Sequence, residues 1–119
     1  MKLFHSSNKR LSTLTPTIGG SRHKGEDPRA VNKPVVYLTT SEEETFAENG
    51  ITHRFKYIVE MSLNDPDLYL DEKDFEFRQE CNETFGENDT TRWYFLKKPI
   101  SVLETLEWDG KKYVKRNNF

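Results

Sequence analysis

His5, Ser6 and Ser7 stand together at the end of a short apolar-centred stretch, Lys2 to His5, that reads as a strand. An imidazole there, with two hydroxyls and the emerging backbone beside it, can meet a carbonyl or a ribose hydroxyl. Tyr37 lies inside Pro34-Val-Val-Tyr-Leu-Thr39, the clearest strand of the chain, because β-branched and aromatic residues crowd a short run after a polar loop. Its phenol offers a polar tip and its ring a stacking surface. If the two strands lie side by side, His5 and Tyr37 make an aromatic slot, with Thr39 and Thr40 either supporting its rim or capping the following helix.

Other groups point less directly to chemistry. Asp65, Asp67, Asp71, Glu72 and Asp74 crowd one stretch, while Glu104 and Glu107 lie near the carboxyl end. Each can stabilise positive charge, and most serve to solvate the surface. Arg10, Arg22, Lys24 and Arg29, with Arg92, Lys97 and Lys98, are candidate phosphate contacts. Gly19-Gly20-Ser21-Arg22 is a flexible turn beside a cation, but neither GxGxxG nor a Walker-type loop is present. His23 and His53 form no metal-binding spacing with the carboxylates, so no metal is expected. Cys81 is the single cysteine, which excludes an intrachain disulfide and a multi-cysteine zinc site, and its acidic surroundings disfavour a thiolate.

The elements that must carry these residues follow from pattern. A polar stretch from Ser6 to Lys33, longer than ordinary connections, is expected to be mobile or folded over a site, with a short helix at Lys9 to Leu14. Thr40 or Ser41 caps a helix through Glu48, with Glu42, Glu43 and Glu44 near its positive end, and Asn49-Gly50 stops it. Ile51 to Met61 reads as a strand, Asp71 to Glu80 as an acidic helix, and Trp93 to Leu96 as a strand. Ile100 to Trp108 and Lys111 to Lys115 flank Asp109-Gly110, the best hairpin signal in the chain. This order favours an α+β fold with mostly antiparallel strands over alternating βαβ units.

With 119 residues, the chain is expected to be a single domain, 1–119, with one core. Only 34% of residues are hydrophobic, yet 8 Phe, 5 Tyr and 2 Trp concentrate buriable area in large rings. The net charge of −2 argues against an undirected nucleic-acid coat. The charge is unevenly spread: residues 1–40 and 91–119 are basic, and residues 41–90 are strongly acidic. The two basic ends, if they meet, would flank an anionic ligand. No apolar run approaches the ~20 residues of a membrane-spanning helix, so a soluble, cytoplasmic protein without a membrane partner is expected.

Taken together, LFHSS, GGSRHKG, PVVYLTT and RFKYIVEM resemble the ADP-ribosyltransferase-like superfamily. Its members carry a histidine in the first strand and a tyrosine in a later one, which His5 and Tyr37 match. NDPDLYLDEKDF and TTRWYFLKKPISVLETL are similar to the tail of the small rifampin ADP-ribosyltransferases, so the resemblance spans roughly residues 3–108. It implies a compact ADP-ribosyltransferase-like fold with two small, mostly antiparallel sheets and short flanking helices. NAD would bind in a cleft between the sheets.

The resemblance further implies that His5 hydrogen-bonds a ribose, that the Ser6 backbone holds the nicotinamide amide, and that Tyr37 stacks on the nicotinamide ring. Ser7, Arg22 and Thr39 complete the cofactor-binding set. Loss of nicotinamide would expose a ribose carbon to a protein, nucleic-acid or small-molecule acceptor, through orientation and stabilisation of developing positive charge. Ser6 replaces the family's usual glycine. The third, acidic position is Asp65 or Asp71, with Glu104 as the fallback. A nonenzymatic NAD or ADP-ribose binding module and an NAD-dependent RNA phosphotransferase are the alternative activities.

Overall fold

In a computed structural model, residues 1–18, 27–42 and 53–116 are described, and they build an α+β fold. The strands are β1 (Lys2–Ser7), β2 (Thr13–Leu14), β3 (Val36–Thr39), β4 (Phe55–Glu60), β5 (Leu68–Leu70), β6 (Trp93–Leu96), β7 (Ile100–Ser101), β8 (Glu104–Trp108) and β9 (Tyr113–Arg116). One helix, α1 (Glu72–Phe85), lies between β5 and β6. Seven strands form a sheet in the order β5-β6-β3-β1-β4-β8-β9, and β2 with β7 forms a separate two-stranded ribbon. All pairings are antiparallel.

The large sheet is unevenly joined. Six residue pairs zip β1 to β4, from Lys2↔Glu60 to Ser7↔Phe55. On its other side β1 meets β3 at one pair only, Phe4↔Thr39. In place of the expected two small sheets there is one seven-stranded sheet and a two-stranded ribbon; within the large sheet two half-sheets, β5-β6-β3 and β1-β4-β8-β9, touch at one end and part towards Ser7 and Val36. β1 is the central strand, and beyond Phe4 its edge towards β3 is unpaired.

Side-chain alternation sorts the core onto the two faces. Leu3, Val36, Leu38, Phe55, Tyr57 and Val59 pack on one face with Leu14 and Leu96. Ala30, Val35, Tyr37 and Phe95 pack on the other, with Tyr69 and Trp93 against them. Because β3 is buried at all four positions, neither of its faces is wet.

Three expectations are corrected in detail. Lys9 to Leu14 is not a helix: Thr13 and Leu14 pair with Ser101 and Ile100, and the backbone donor of Val102 reaches Ser12 O at 3.1 Å. Ile100 to Trp108 is two strands rather than one, since Val102 and Leu103 leave the ladder and Leu103 N bonds Ile58 O. The acidic helix runs on to Phe85, with Asp71 outside it as the N-cap accepting from Asp74 N at 3.1 Å. Gly86 ends it at φ 65°, a left-handed conformation that glycine adopts without penalty. The helix expected through Glu48 and its Asn49-Gly50 stop fall largely outside the described residues.

The Asp109-Gly110 turn joins β8 to β9 as expected. Gly110 takes φ 104°, and the Asp109 carboxylate accepts from the backbones of Lys111 and Lys112.

One ion pair fixes the segment after residue 26. Asp27 is buried and accepts from Arg29 Nε at 3.0 Å, Arg29 Nη2 at 2.7 Å and the Arg29 backbone at 2.9 Å. Arg29 also donates to Leu70 O at 2.9 Å and lies over the rings of Tyr69 and Phe95. The clasp therefore staples residues 27–31 to β5, β6 and the start of α1. Hydrogen bonds from Arg29, opposed by burial, hold the Asp27 carboxyl at about 2, below its ordinary 3.8.

A depressed carboxylate pKa stabilises the fold above the unfolded value, and that stability is lost as pH falls towards the folded value. The stability difference between wild type and Asp27→Asn is expected to shrink by about 1–2 kcal/mol as pH falls from about 5 to about 2. Urea unfolding of both proteins measures it. A difference that stays constant over that range would contradict the clasp.

Candidate functional site

The parting of β1 from β3 leaves a cleft of about 200 Å³. His5, Ser7, Lys9 and Leu11 border it on one side, and Val35, Val36 and Tyr37 on the other. Leu14 and the threonines at 13, 15 and 17 close it. Residues 9–17 arch over the opening, and three sets of bonds hold the arch. The Tyr57 hydroxyl accepts from Leu11 N at 2.8 Å and donates to Lys9 O at 2.5 Å. The β2–β7 ribbon fixes the middle, and Thr17 exchanges two backbone bonds with Val35, each 3.2 Å. The front of the long polar stretch is therefore folded over this cleft.

Burial raises the Tyr57 pKa, which keeps the phenol protonated and able to donate to Lys9 O.

His5 fills the place where the β1–β3 ladder stops. Its Nδ1 lies 2.8 Å from Tyr37 O. A carbonyl only accepts, so Nδ1 carries the proton and, in the neutral ring, Nε2 presents a lone pair. Burial lowers the His5 pKa below 6.5, opposed in part by the bond to the Tyr37 backbone. At neutral pH the ring is therefore an uncharged acceptor beside the cleft. Lys9 brings a cation that makes no ion pair among the described residues. A neutral imidazole acceptor, an ammonium and the hydroxyls of Ser7 and the threonines suit a small ligand rich in hydroxyls and carrying an anionic group.

The expected slot between an imidazole and a phenol is not formed. His5 pairs with Tyr57, so its ring is on the Tyr57 face of the sheet. Tyr37 belongs to the opposite face, where its ring meets Phe95 edge-on at 6.1 Å between centroids. Tyr37 reaches His5 through its carbonyl. The physical reason is parity: continuing the Phe4↔Thr39 pairing sets Leu38, not Tyr37, opposite His5.

The remaining expected residues are dispersed. Thr39 is fully buried at the other end of β3, donating to Arg92 O at 3.1 Å and accepting from Ser41 N at 3.1 Å, so it ties the strand end. Ser6 faces away from the cleft and bonds His53. Asp65 precedes the edge strand β5, about three strand spacings or ~14 Å from β1. It is paired with Lys98 at 2.8 Å, which lowers its pKa. Asp71 caps α1 in a buried position, and Glu104 lies on β8, two strands from β1, beside Lys115 at 3.5 Å. No carboxylate lines the cleft among the described residues. Arg22 lies outside the described residues. No group of histidine, cysteine and carboxylate side chains that could hold a metal occurs among them.

Sequence reasoning missed Lys9, Tyr57 and the threonines. A signal for the last was present, since Thr13, Thr15 and Thr17 recur every second residue, the period that puts strand side chains on one face.

No described helix is long and apolar enough to cross a membrane. Comparisons with protein-family models, curated proteins and solved structures find no match.

Proposed function

We propose that the cleft binds the ribosyl and phosphate portion of NAD and that the protein transfers ADP-ribose from it to an acceptor, releasing nicotinamide. The observation that carries this reading is the parting of β1 from β3 with His5 in the gap. A first-strand histidine and a tyrosine-bearing strand then flank one opening between two half-sheets, as the resemblance to ADP-ribosyltransferases implies.

The fit to NAD is partial. A cleft of about 200 Å³ is smaller than the ~300–1,000 Å³ pockets that enclose drug-sized ligands, so it takes a sugar-sized portion and leaves the rest outside. His5 Nε2 accepts a ribose O–H, Ser7 and the threonines bond further hydroxyls, and Lys9 faces phosphate. When bound, NAD supplies the electrophilic ribose carbon. The chain's own work is to orient that ribose and exclude water beneath the 9–17 arch. Stacking by the Tyr37 ring is not part of the reading, because that ring packs against Phe95.

A specific observation favours a second reading, a nonenzymatic NAD or ADP-ribose binding module. Asp65, Asp71 and Glu104 are each engaged away from the cleft, so no acid among the described residues stands ready to stabilise developing positive charge.

Incubation with NAD labelled in its ADP-ribose half separates the two. Release of free nicotinamide with a labelled mass on an acceptor is the result the transferase reading expects. Saturable binding with neither release nor adduct selects the binding module. Absence of binding overturns both.

A further inference from the structure

On the face of the sheet opposite the His5 ring, four residues outside the cleft form one connected group. The Ser6 hydroxyl and His53 Nδ1 are 2.8 Å apart. The Tyr113 hydroxyl donates to His53 O at 2.7 Å, which fixes the backbone that carries the imidazole. Lys56 is the direct cross-strand partner of Ser6. Its side chain is almost fully buried, with Nζ 4.2 Å from the centre of the Tyr113 ring. The contacts thus run from Ser6 to His53, to Tyr113, to Lys56, and across the β1–β4 ladder back to Ser6.

We propose that Ser6 is an activated nucleophile, with His53 as its base, able to take an acyl group from a small carboxylic ester. The pair has the geometry for proton transfer, since the distance is already within reach. The backbone that carries the base is fixed by the Tyr113 hydroxyl, which donates to His53 O. Lys56 Nζ, on the neighbouring strand, lies 4.0 Å from Glu42 Oε1, so a carboxylate offsets the lysine charge there. Ser6 and His53 are both partly exposed, so a small reagent can reach them.

With the imidazole proton on Nε2, His53 Nδ1 accepts the Ser6 Oγ proton as Oγ bonds to the ester carbonyl carbon. The carbon–oxygen bond to the alcohol then breaks, and the alcohol leaves with the proton from His53. Water, deprotonated by the same imidazole, cleaves the acyl-serine and restores the hydroxyl. No oxidant or cofactor enters. The site does not depend on the NAD reading.

The test is labelling of the full chain with a fluorophosphonate probe and, separately, with p-nitrophenyl acetate, followed by peptide mapping. The expected result is one adduct, on Ser6, lost in Ser6→Ala and slowed at least about tenfold in His53→Gln. Circular dichroism checks that both variants fold. As a second variant, Ser6→Cys should react with iodoacetamide faster than Cys81 of the same chain. No adduct on folded wild type, labelling spread evenly over Ser6, Ser7 and Ser12, or a thiol at position 6 no faster than Cys81 would each overturn the proposal.

Discussion

Replacing His5 with alanine is expected to lower NAD-dependent nicotinamide release, or NAD binding if the protein is a binding module, by on the order of 10²-fold. His5 Nε2 is the acceptor at the point where β1 and β3 separate, and its orientation is set by the 2.8 Å bond from Nδ1 to Tyr37 O. Removing the ring deletes both the acceptor and the bond that aims it. Isothermal titration and a nicotinamide assay measure the loss. The fold should persist, since a lost hydrogen bond that leaves one carbonyl unpaired costs about 1–3 kcal/mol. A thermal melt of the variant serves as the control.

The pH dependence of wild type carries the same information. Burial holds the His5 pKa below 6.5, so the ring stays neutral and ligand binding should be flat from pH 8 down through about 6.5. Binding should fall only at more acidic pH, where Nε2 gains a proton and can no longer accept. For stability the sign is the same. A lowered histidine pKa contributes fully above the unfolded value and is lost as pH drops through it towards the folded one. A binding midpoint above 6.5 would contradict a desolvated ring.

The largest expected effect on stability is that of Phe95→Ala. Phe95 is fully buried on β6, a strand that joins β3 to β5. Its ring stacks on Tyr69 at 5.4 Å, meets Tyr37 edge-on, and lies under the Arg29 guanidinium at 5.3 Å. Truncation removes the centre of one face of the core and loosens the clasp of Arg29 and Asp27. The expected cost is about 3–5 kcal/mol. Against a total stability of about 5–15 kcal/mol for such a domain, that leaves a marginal fold. Urea denaturation measures the loss, and a loss below about 1 kcal/mol would show that this face does not hold the half-sheet together.

Much of the fold was legible in local pattern. The β-branched run before Thr39 made a strand, Asp109-Gly110 made a turn, and Asp71 marked the start of α1, each because its physical cause lies within a few residues. β2 was hidden for the opposite reason. Thr13 and Leu14 are strand because Ser101 and Ile100 lie beside them, and the threonine alternation around them suggests extended chain without naming a partner some 90 residues away.

The site shows the same division. His5 on the first strand was readable, while the stretch after it read as either mobile or folded over a site, with a helix where β2 lies. The side on which Tyr37 points was not, because all four residues of β3 are buried and the usual wet-and-dry alternation that reveals parity is absent. The carboxylates were ambiguous because so many crowd residues 65–89. Only the coordinates show Asp65 occupied by Lys98 and Asp71 by the helix terminus.

The central claim is that His5 Nε2 meets a ligand in the opening between β1 and β3. Nitrogen-15 NMR of the imidazole during titration with NAD, and then with ADP-ribose, tests it most directly. A saturable shift confined to the His5 Nε2 resonance, with Nδ1 remaining protonated, is the expected result. Saturable binding that leaves His5 unmoved while other resonances shift would place the ligand elsewhere and contradict the account.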